Sequence, residues 1–126
     1  MTDKEIVSQA IKMREKAYAP YSHFSVGAAI LGRDGKIYGG ANVENASYGA
    51  AVCAERTAAL SALMAGCRNF EAIAVVSSAD KLCTPCGICR QFLSEFSPDM
   101  RVICAKNEDE FEVYSLDELL PHSFKG

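Results

Sequence analysis

Two short segments, far apart in the chain, constrain its fold more than any other feature: Cys53-Ala54-Glu55-Arg56 and Pro85-Cys86-Gly87-Ile88-Cys89. They offer three thiols and one carboxylate, and only a fold that brings them together lets these groups act as a set. A structural zinc usually takes four protein ligands, whereas a catalytic zinc keeps three and leaves a position for water. Three cysteines with Glu55 beside them follow the second pattern. A C-x-x-C taken alone also fits a structural zinc or buried free thiols.

The spacing carries geometric expectations. Proline favours the first helical position, so Cys86 and Cys89 should project from one face of the first turn of a helix opened by Pro85. Cys53 and Glu55 would point about 200° apart in a regular helix. Cys53 is therefore expected as a cap or first-turn residue with partly extended backbone, from which the Glu55 side chain can swing back. Both segments would then set helix N-termini at the metal, where the partial positive charge of the backbone favours thiolate.

With 126 residues and 49% hydrophobic content, the chain is expected to form one domain over residues 1–126 around a single core. Met1-Thr2-Asp3-Lys4-Glu5 is polar, no apolar run is long enough for a bilayer, and a cytoplasmic protein without membrane association is the expectation. In such a reducing compartment, six cysteines read as metal ligands or buried thiols rather than disulfides. A net charge of −3 with no basic run excludes an electrostatic footprint for a nucleic acid polymer and favours a free small substrate.

Hydrophobic periodicity and caps predict the order αββαβαββα. A capping box, Thr2 with Glu5, opens a helix over 2–18 that Pro20 forbids to continue. Strands over 24–31 and 36–43 flank the hairpin signal Gly32-Arg33-Asp34-Gly35. A helix over 53–64 stops before Gly66, and the apolar run 72–76 reads as a strand covered on both faces. A helix over 87–96 turns Ile88, Phe92, Leu93 and Phe96 inward. Strands over 101–105 and 111–114 precede a short helix capped by Ser115 and Glu118. A mixed sheet between helical layers follows, with both cysteine segments at strand-to-helix junctions, where open α/β sheets place ligands.

The pairing of C-A-E with P-C-G-I-C resembles the signature of zinc-dependent nucleobase and nucleoside deaminases, H-x-E followed by P-C-x-x-C, in its three-cysteine form. The blocks over 18–29, 42–48, 53–58, 84–91 and 119–121, with Phe124, are similar to the small homotetrameric cytidine deaminases. That resemblance implies an α/β fold, a three-layer α/β/α sandwich with a mixed five-stranded sheet. It implies one Zn²⁺ per chain on Cys53, Cys86 and Cys89, with Glu55 as the proton shuttle. The implied reaction is hydrolytic deamination of cytidine and deoxycytidine in pyrimidine salvage, releasing ammonia. Asn42 and Glu44 would hold the ribose and Phe24 would flank the pyrimidine. Thr84 would aim its carbonyl at the amino group, and Ala54 would offer its backbone to the base edge. Tyr48 and Phe124 would reach across a subunit boundary, so that a homotetramer carries composite sites.

The chemistry explains why these residue types belong together. Attack at C4 needs a nucleophile that neutral water does not supply, and a metal lowers the pKa of water toward about 7. Glu55 can accept a proton, pass it to N3 and later assist departure of ammonia. Three thiolates around Zn²⁺ leave a local charge of −1, which the Arg56 guanidinium can offset by donating to sulfur.

Apart from the resemblance, Asn42 and Glu44 read as a turn after a strand and Phe24 as core, while the alternative to a catalytic role for Glu55 and Arg56 is a solvated helix face. Phe124 reads as a tail or subunit contact, and Tyr48 as evenly balanced. Cys83 raises the alternatives of a four-cysteine zinc site or an iron–sulfur cluster, neither of which gives Glu55 a task. Cys67 and Cys104 read as packing residues, and His23 and His122 as solvent-facing loop residues. Two other functions compete with cytidine deamination. One is zinc chemistry on another cytosine nucleoside, such as blasticidin S; the other is a non-enzymatic zinc or thiol module.

Overall fold

The computed structural model describes residues 1–126. The elements run α1 (Asp3–Arg14), β1 (Val26–Gly32), β2 (Ile37–Ala41), a 3₁₀ turn (Tyr48–Ala50), α2 (Ala54–Met64), β3 (Phe70–Ser77), α3 (Gly87–Ser94), β4 (Arg101–Ala105), β5 (Phe111–Ser115) and α4 (Leu116–Leu119). The expected order is met, with the 3₁₀ turn added. Both expected capping boxes form, Thr2 with Glu5 and Ser115 with Glu118.

The five strands make one mixed sheet in the order β2-β1-β3-β4-β5, with β3 and β4 parallel and all other pairs antiparallel. Side chains alternate between its faces. Ala29, Leu31, Ala74, Val76 and Ile103 meet Ile6, Val7 and Ala10 of α1. Ala28, Ile30, Ile73, Val75, Val102 and Cys104 meet α2, Leu93 of α3 and Leu116 of α4. The layers are therefore helix, sheet, helices. No helix is long and apolar enough to cross a membrane.

Strand direction decides where the cysteine segments go. Because β1 is antiparallel to both β2 and β3, the ends of β2 (Ala41) and β3 (Ser77) lie at the same sheet edge as the start of β1 (Val26). The loops into α2 and α3 both leave from that edge. Helix α2 rests directly on β2 because Gly40 has no side chain: a Cβ there would stand 2.3 Å from Ala58 N.

Three expectations need correction. The first helix ends at Arg14, not Tyr18, because Tyr18 pairs with the 42–44 segment: its amide donates to Asn42 O at 2.9 Å and its carbonyl accepts from Glu44 N at 2.8 Å. Ile88 is 67% exposed rather than inward, since it sits in the first turn of α3, where that face looks into the open end of a surface cavity. Pro85 does not open α3 but precedes its cap, Cys86.

Candidate metal centre and active site

Helices α2 and α3 begin with the same local device. Cys53 caps α2 with extended backbone (φ −71°, ψ 156°), as the spacing argument required, and Arg56 is the third helical residue. Cys86 caps α3 in the same way (φ −72°, ψ 169°), and Cys89 is the third helical residue. Side chains at cap and third position face each other across the first turn, as in a capping box. Arg56 Nη2 therefore donates to Cys53 Sγ at 3.6 Å, and Cys86 Sγ lies 3.5 Å from Cys89 Sγ.

Cys53 Sγ is 3.9 Å from Cys86 Sγ, and the three sulfurs all lie within 4.8 Å of one another. A tetrahedral zinc with Zn–S bonds of about 2.3 Å separates its sulfur ligands by roughly 3.8 Å. The Cys53–Cys86 and Cys86–Cys89 separations fall within a few tenths of an ångström of that value, so the residues present fit the ion. The charge of such a set is met as well: the Arg56 guanidinium, donating through Nη2 to Cys53 Sγ, is a cation beside the sulfurs.

The electrostatics follow from burial and proximity. The Cys53 thiol is pushed down to about 5, first by a hydrogen bond from Cys89 and further by Arg56. That hydrogen bond, with burial, pushes the Cys89 thiol up. Glu55, the second residue of α2 and only 4% exposed, has its carboxyl pushed up to about 7, chiefly by burial. A carboxyl poised near neutrality is suited to both accepting and returning a proton.

A cavity of about 200 Å³ opens onto the cluster. It brings together Phe24, Asn42, Cys53, Ala54, Glu55, Thr84 and Cys86. Val26 and Cys83 line the same cavity and were not anticipated as part of it. Cys83 stands outside the three-sulfur group, and burial pushes its thiol up to about 12, which suits a neutral wall rather than a ligand. Cys67 and Cys104 are buried in the core.

Asn42 and Glu44 are held before any ligand arrives. Asn42 Oδ1 accepts from Val26 N at 2.9 Å, and its Nδ2 donates to Phe24 O at 2.8 Å. Glu44 Oε1 accepts from Tyr21 N (3.0 Å) and Ser22 N (3.1 Å), while Oε2 accepts from the Ser22 hydroxyl. These bonds, led by that of Ser22, hold the Glu44 carboxyl below its usual range. An amide nitrogen has a second proton and a carboxylate about four acceptor sites, so each keeps capacity for a further partner.

A neighbouring cavity of about 380 Å³ joins Asn42, Glu44 and Tyr48 to Cys53, Arg56 and Ile88. Tyr48 is exposed, its ring edge-on to Tyr21 with centroids 5.9 Å apart. Phe124 lies elsewhere, beside Ser94, Glu95 and Pro98 at the C-terminal end of α3, whereas the thiols lie at its N-terminal end. Within one chain the fold thus assembles every expected site residue except Phe124. The support from Tyr21 and Ser22 is not among the sequence expectations, although both lie in the block 18–29: two of the three bonds come from backbone amides, which leave no sequence signal, and the third from a serine hydroxyl with no motif of its own.

Residues 1–106 match the family model for the cytidine and deoxycytidylate deaminase zinc-binding region. The chain is 45% identical over 125 residues to a cytidine deaminase of Halalkalibacterium halodurans, covering 98% of this chain and 95% of that one. It is 44% identical over 122 residues to a probable cytidine deaminase of Dictyostelium discoideum, covering 96% and 82%. Among solved structures, a cytidine deaminase of Burkholderia pseudomallei superposes with a TM-score of 0.94 at 49% identity over 98% of this chain and 100% of that one. One from Mycobacterium tuberculosis gives 0.88 at 34% identity, covering 99% of each.

Proposed function

The chain belongs to the cytidine and deoxycytidylate deaminase family of zinc-binding hydrolases, and from that premise we propose that it converts cytidine and deoxycytidine to uridine and deoxyuridine with release of ammonia. Such a reaction serves pyrimidine salvage in the cytoplasm. The observation that carries this reading is the convergence of three cysteine sulfurs beside a buried glutamate in a cavity bounded by Phe24, Asn42 and Thr84.

Cys53, Cys86 and Cys89 would hold one zinc ion, and zinc supplies the Lewis acidity that brings the pKa of water toward about 7. Glu55 takes a proton from the attacking water and returns it to N3 of the pyrimidine as C4 becomes tetrahedral; it then takes the proton of the new C4 hydroxyl and passes it to the amino group, which leaves as ammonia as the C4 carbonyl forms. Burial sets its carboxyl near 7, so neither protonation state is strongly disfavoured at neutral pH. Arg56, donating to Cys53 Sγ, offsets the excess negative charge of three thiolates.

Phe24 flanks the ring, the Thr84 carbonyl accepts from the amino group, and the Ala54 backbone meets the base edge. Asn42 and Glu44 hold the ribose with the hydrogen-bonding capacity that their protein partners leave free. Phe124, exposed and remote from its own chain's thiols, completes a neighbouring chain's site in a homotetramer, and Tyr48, exposed at the mouth of its own chain's cavity, reaches across the same boundary. The substrate is a free nucleoside rather than a polymer, in keeping with a net charge of −3.

The fall in ultraviolet absorbance as cytidine becomes uridine tests the assignment, with ammonia measured in parallel. Equal release of uridine and ammonia is expected. A zinc-loaded protein inert toward cytidine and deoxycytidine, yet active on another cytosine nucleoside, would overturn the substrate.

A further inference from the structure

The Thr84-Pro85-Cys86 turn delivers one side chain to the cavity and one to the sulfur group, and its conformation has little intrinsic freedom. The proline ring fixes φ of Pro85, so ψ remains as the torsion that swings the Pro85 carbonyl and, with it, the backbone of Cys86. The Arg90 side chain holds that torsion, while its amide closes the first turn of α3 on the Cys86 carbonyl. Its amide donates to Cys86 O at 3.0 Å, and its Nε donates to Pro85 O at 2.7 Å.

The same guanidinium reaches a second element. Arg90 Nη1 donates to Leu119 O at 2.7 Å, one of the carbonyls at the end of α4 that have no partner within the helix. Next to it, Gln91 Nε2 donates to Phe124 O at 3.0 Å. A planar fork with fixed donor directions ties its two acceptors to one geometry, which a single ammonium on a flexible stem cannot do.

We propose that Arg90 is a positioning residue that couples the ligand-bearing turn to the C-terminal segment, so that zinc retention and the order of residues 118–124 depend on each other. The proposal rests on the assignment of zinc to Cys53, Cys86 and Cys89. A metal that fixes Cys86 fixes the Pro85 carbonyl, hence the guanidinium and the Leu119 carbonyl. By linkage, loosening the far end must weaken the near end by the same free energy.

The test uses the full chain in its zinc-loaded form and after removal of zinc with a chelator. Amide hydrogen exchange over 118–124 should speed up by about tenfold or more on zinc removal, while amides of α1 stay unchanged. Groups supporting a metal ligand are typically worth 10–100-fold in metal affinity. Zinc transfer to a colorimetric chelator should accordingly be about that much faster in Arg90→Ala and intermediate in Arg90→Lys. In Gln91→Ala, which frees the Phe124 carbonyl and leaves both Arg90 side-chain bonds in place, the transfer rate should rise by less than in Arg90→Ala.

Exchange over 118–124 that ignores zinc, or that rises no more than exchange in α1, would overturn the coupling. So would a folded Arg90→Ala with the wild-type transfer rate. If Arg90→Ala does not fold, the wild-type exchange comparison decides alone. Wild-type protein that holds no zinc would refute the thiolate assignment itself, which is a distinguishable failure.

Discussion

Replacing Gly40, which lines neither cavity, by alanine should damage the active site by pushing on the helix that carries it. The added methyl would stand 2.3 Å from Ala58 N and 2.8 Å from both Ala54 O and Thr57 C, against 3.4 Å for an ordinary contact. Backbone atoms of a helix cannot turn aside as a side chain can, so α2 must lift from β2 by roughly 1 Å to relieve the overpacking. Its N-terminus carries Cys53, Glu55 and Arg56. A displacement near 1 Å costs on the order of 10²-fold in rate when it misplaces reacting groups, and overpacking costs about 1–3 kcal/mol. For a chain of this size each kcal/mol lowers Tm by about 4 °C. Gly40→Ala should therefore lose roughly 4–12 °C in Tm and about 10²-fold in kcat/KM toward cytidine. Gly35→Ala is the control: φ is +82° but a Cβ there meets nothing within 4 Å. It should lose a few degrees through backbone strain and keep its kcat/KM. A Gly40→Ala protein with wild-type Tm and activity, or a Gly35→Ala protein equally inactive, would refute the claim that α2 is placed by contact with β2.

Other outcomes are expected at the site itself. Glu55→Gln should keep its zinc, measured by elemental analysis, and lose about 10²–10⁴ in kcat, because it cannot move protons; near-normal turnover would remove the shuttle from the mechanism. Arg56→Gln should lower kcat more than it raises KM and shift the alkaline-rising limb of the pH–rate profile upward, since an uncompensated thiolate set weakens activation of water. Cys83→Ser should leave zinc content unchanged while Cys53→Ser abolishes it, because only Cys53 belongs to the three-sulfur group; the reverse result would reassign the ligands.

The element order was legible because its signals are local: two capping boxes, a glycine-bounded hairpin and apolar runs of strand length. The site was legible because cap and third-position side chains meet by helix geometry alone, which turns the spacings of Cys53 with Arg56 and Cys86 with Cys89 into contacts. Boundaries set by distant partners were not. Tyr18 leaves the helical pattern because Asn42 and Glu44 claim its backbone groups, and no window around residue 18 contains them. Ile88 fits an inward periodicity, yet stands in the first turn of α3, where its side chain lines a surface cavity. The hold of Tyr21 and Ser22 on Glu44 uses two backbone amides besides the Ser22 hydroxyl, and that of Arg90 ends on the carbonyls of Pro85 and Leu119; such backbone groups belong to every residue type.

The most direct test of the central claim is deamination of cytidine followed while zinc is titrated back into metal-free protein. Uridine and ammonia should appear in equal amounts, at a rate that rises with added zinc and levels off at one ion per chain. Deamination by the metal-free protein, or a plateau at a different stoichiometry, would contradict a reaction carried by one zinc on Cys53, Cys86 and Cys89 with Glu55 moving the protons.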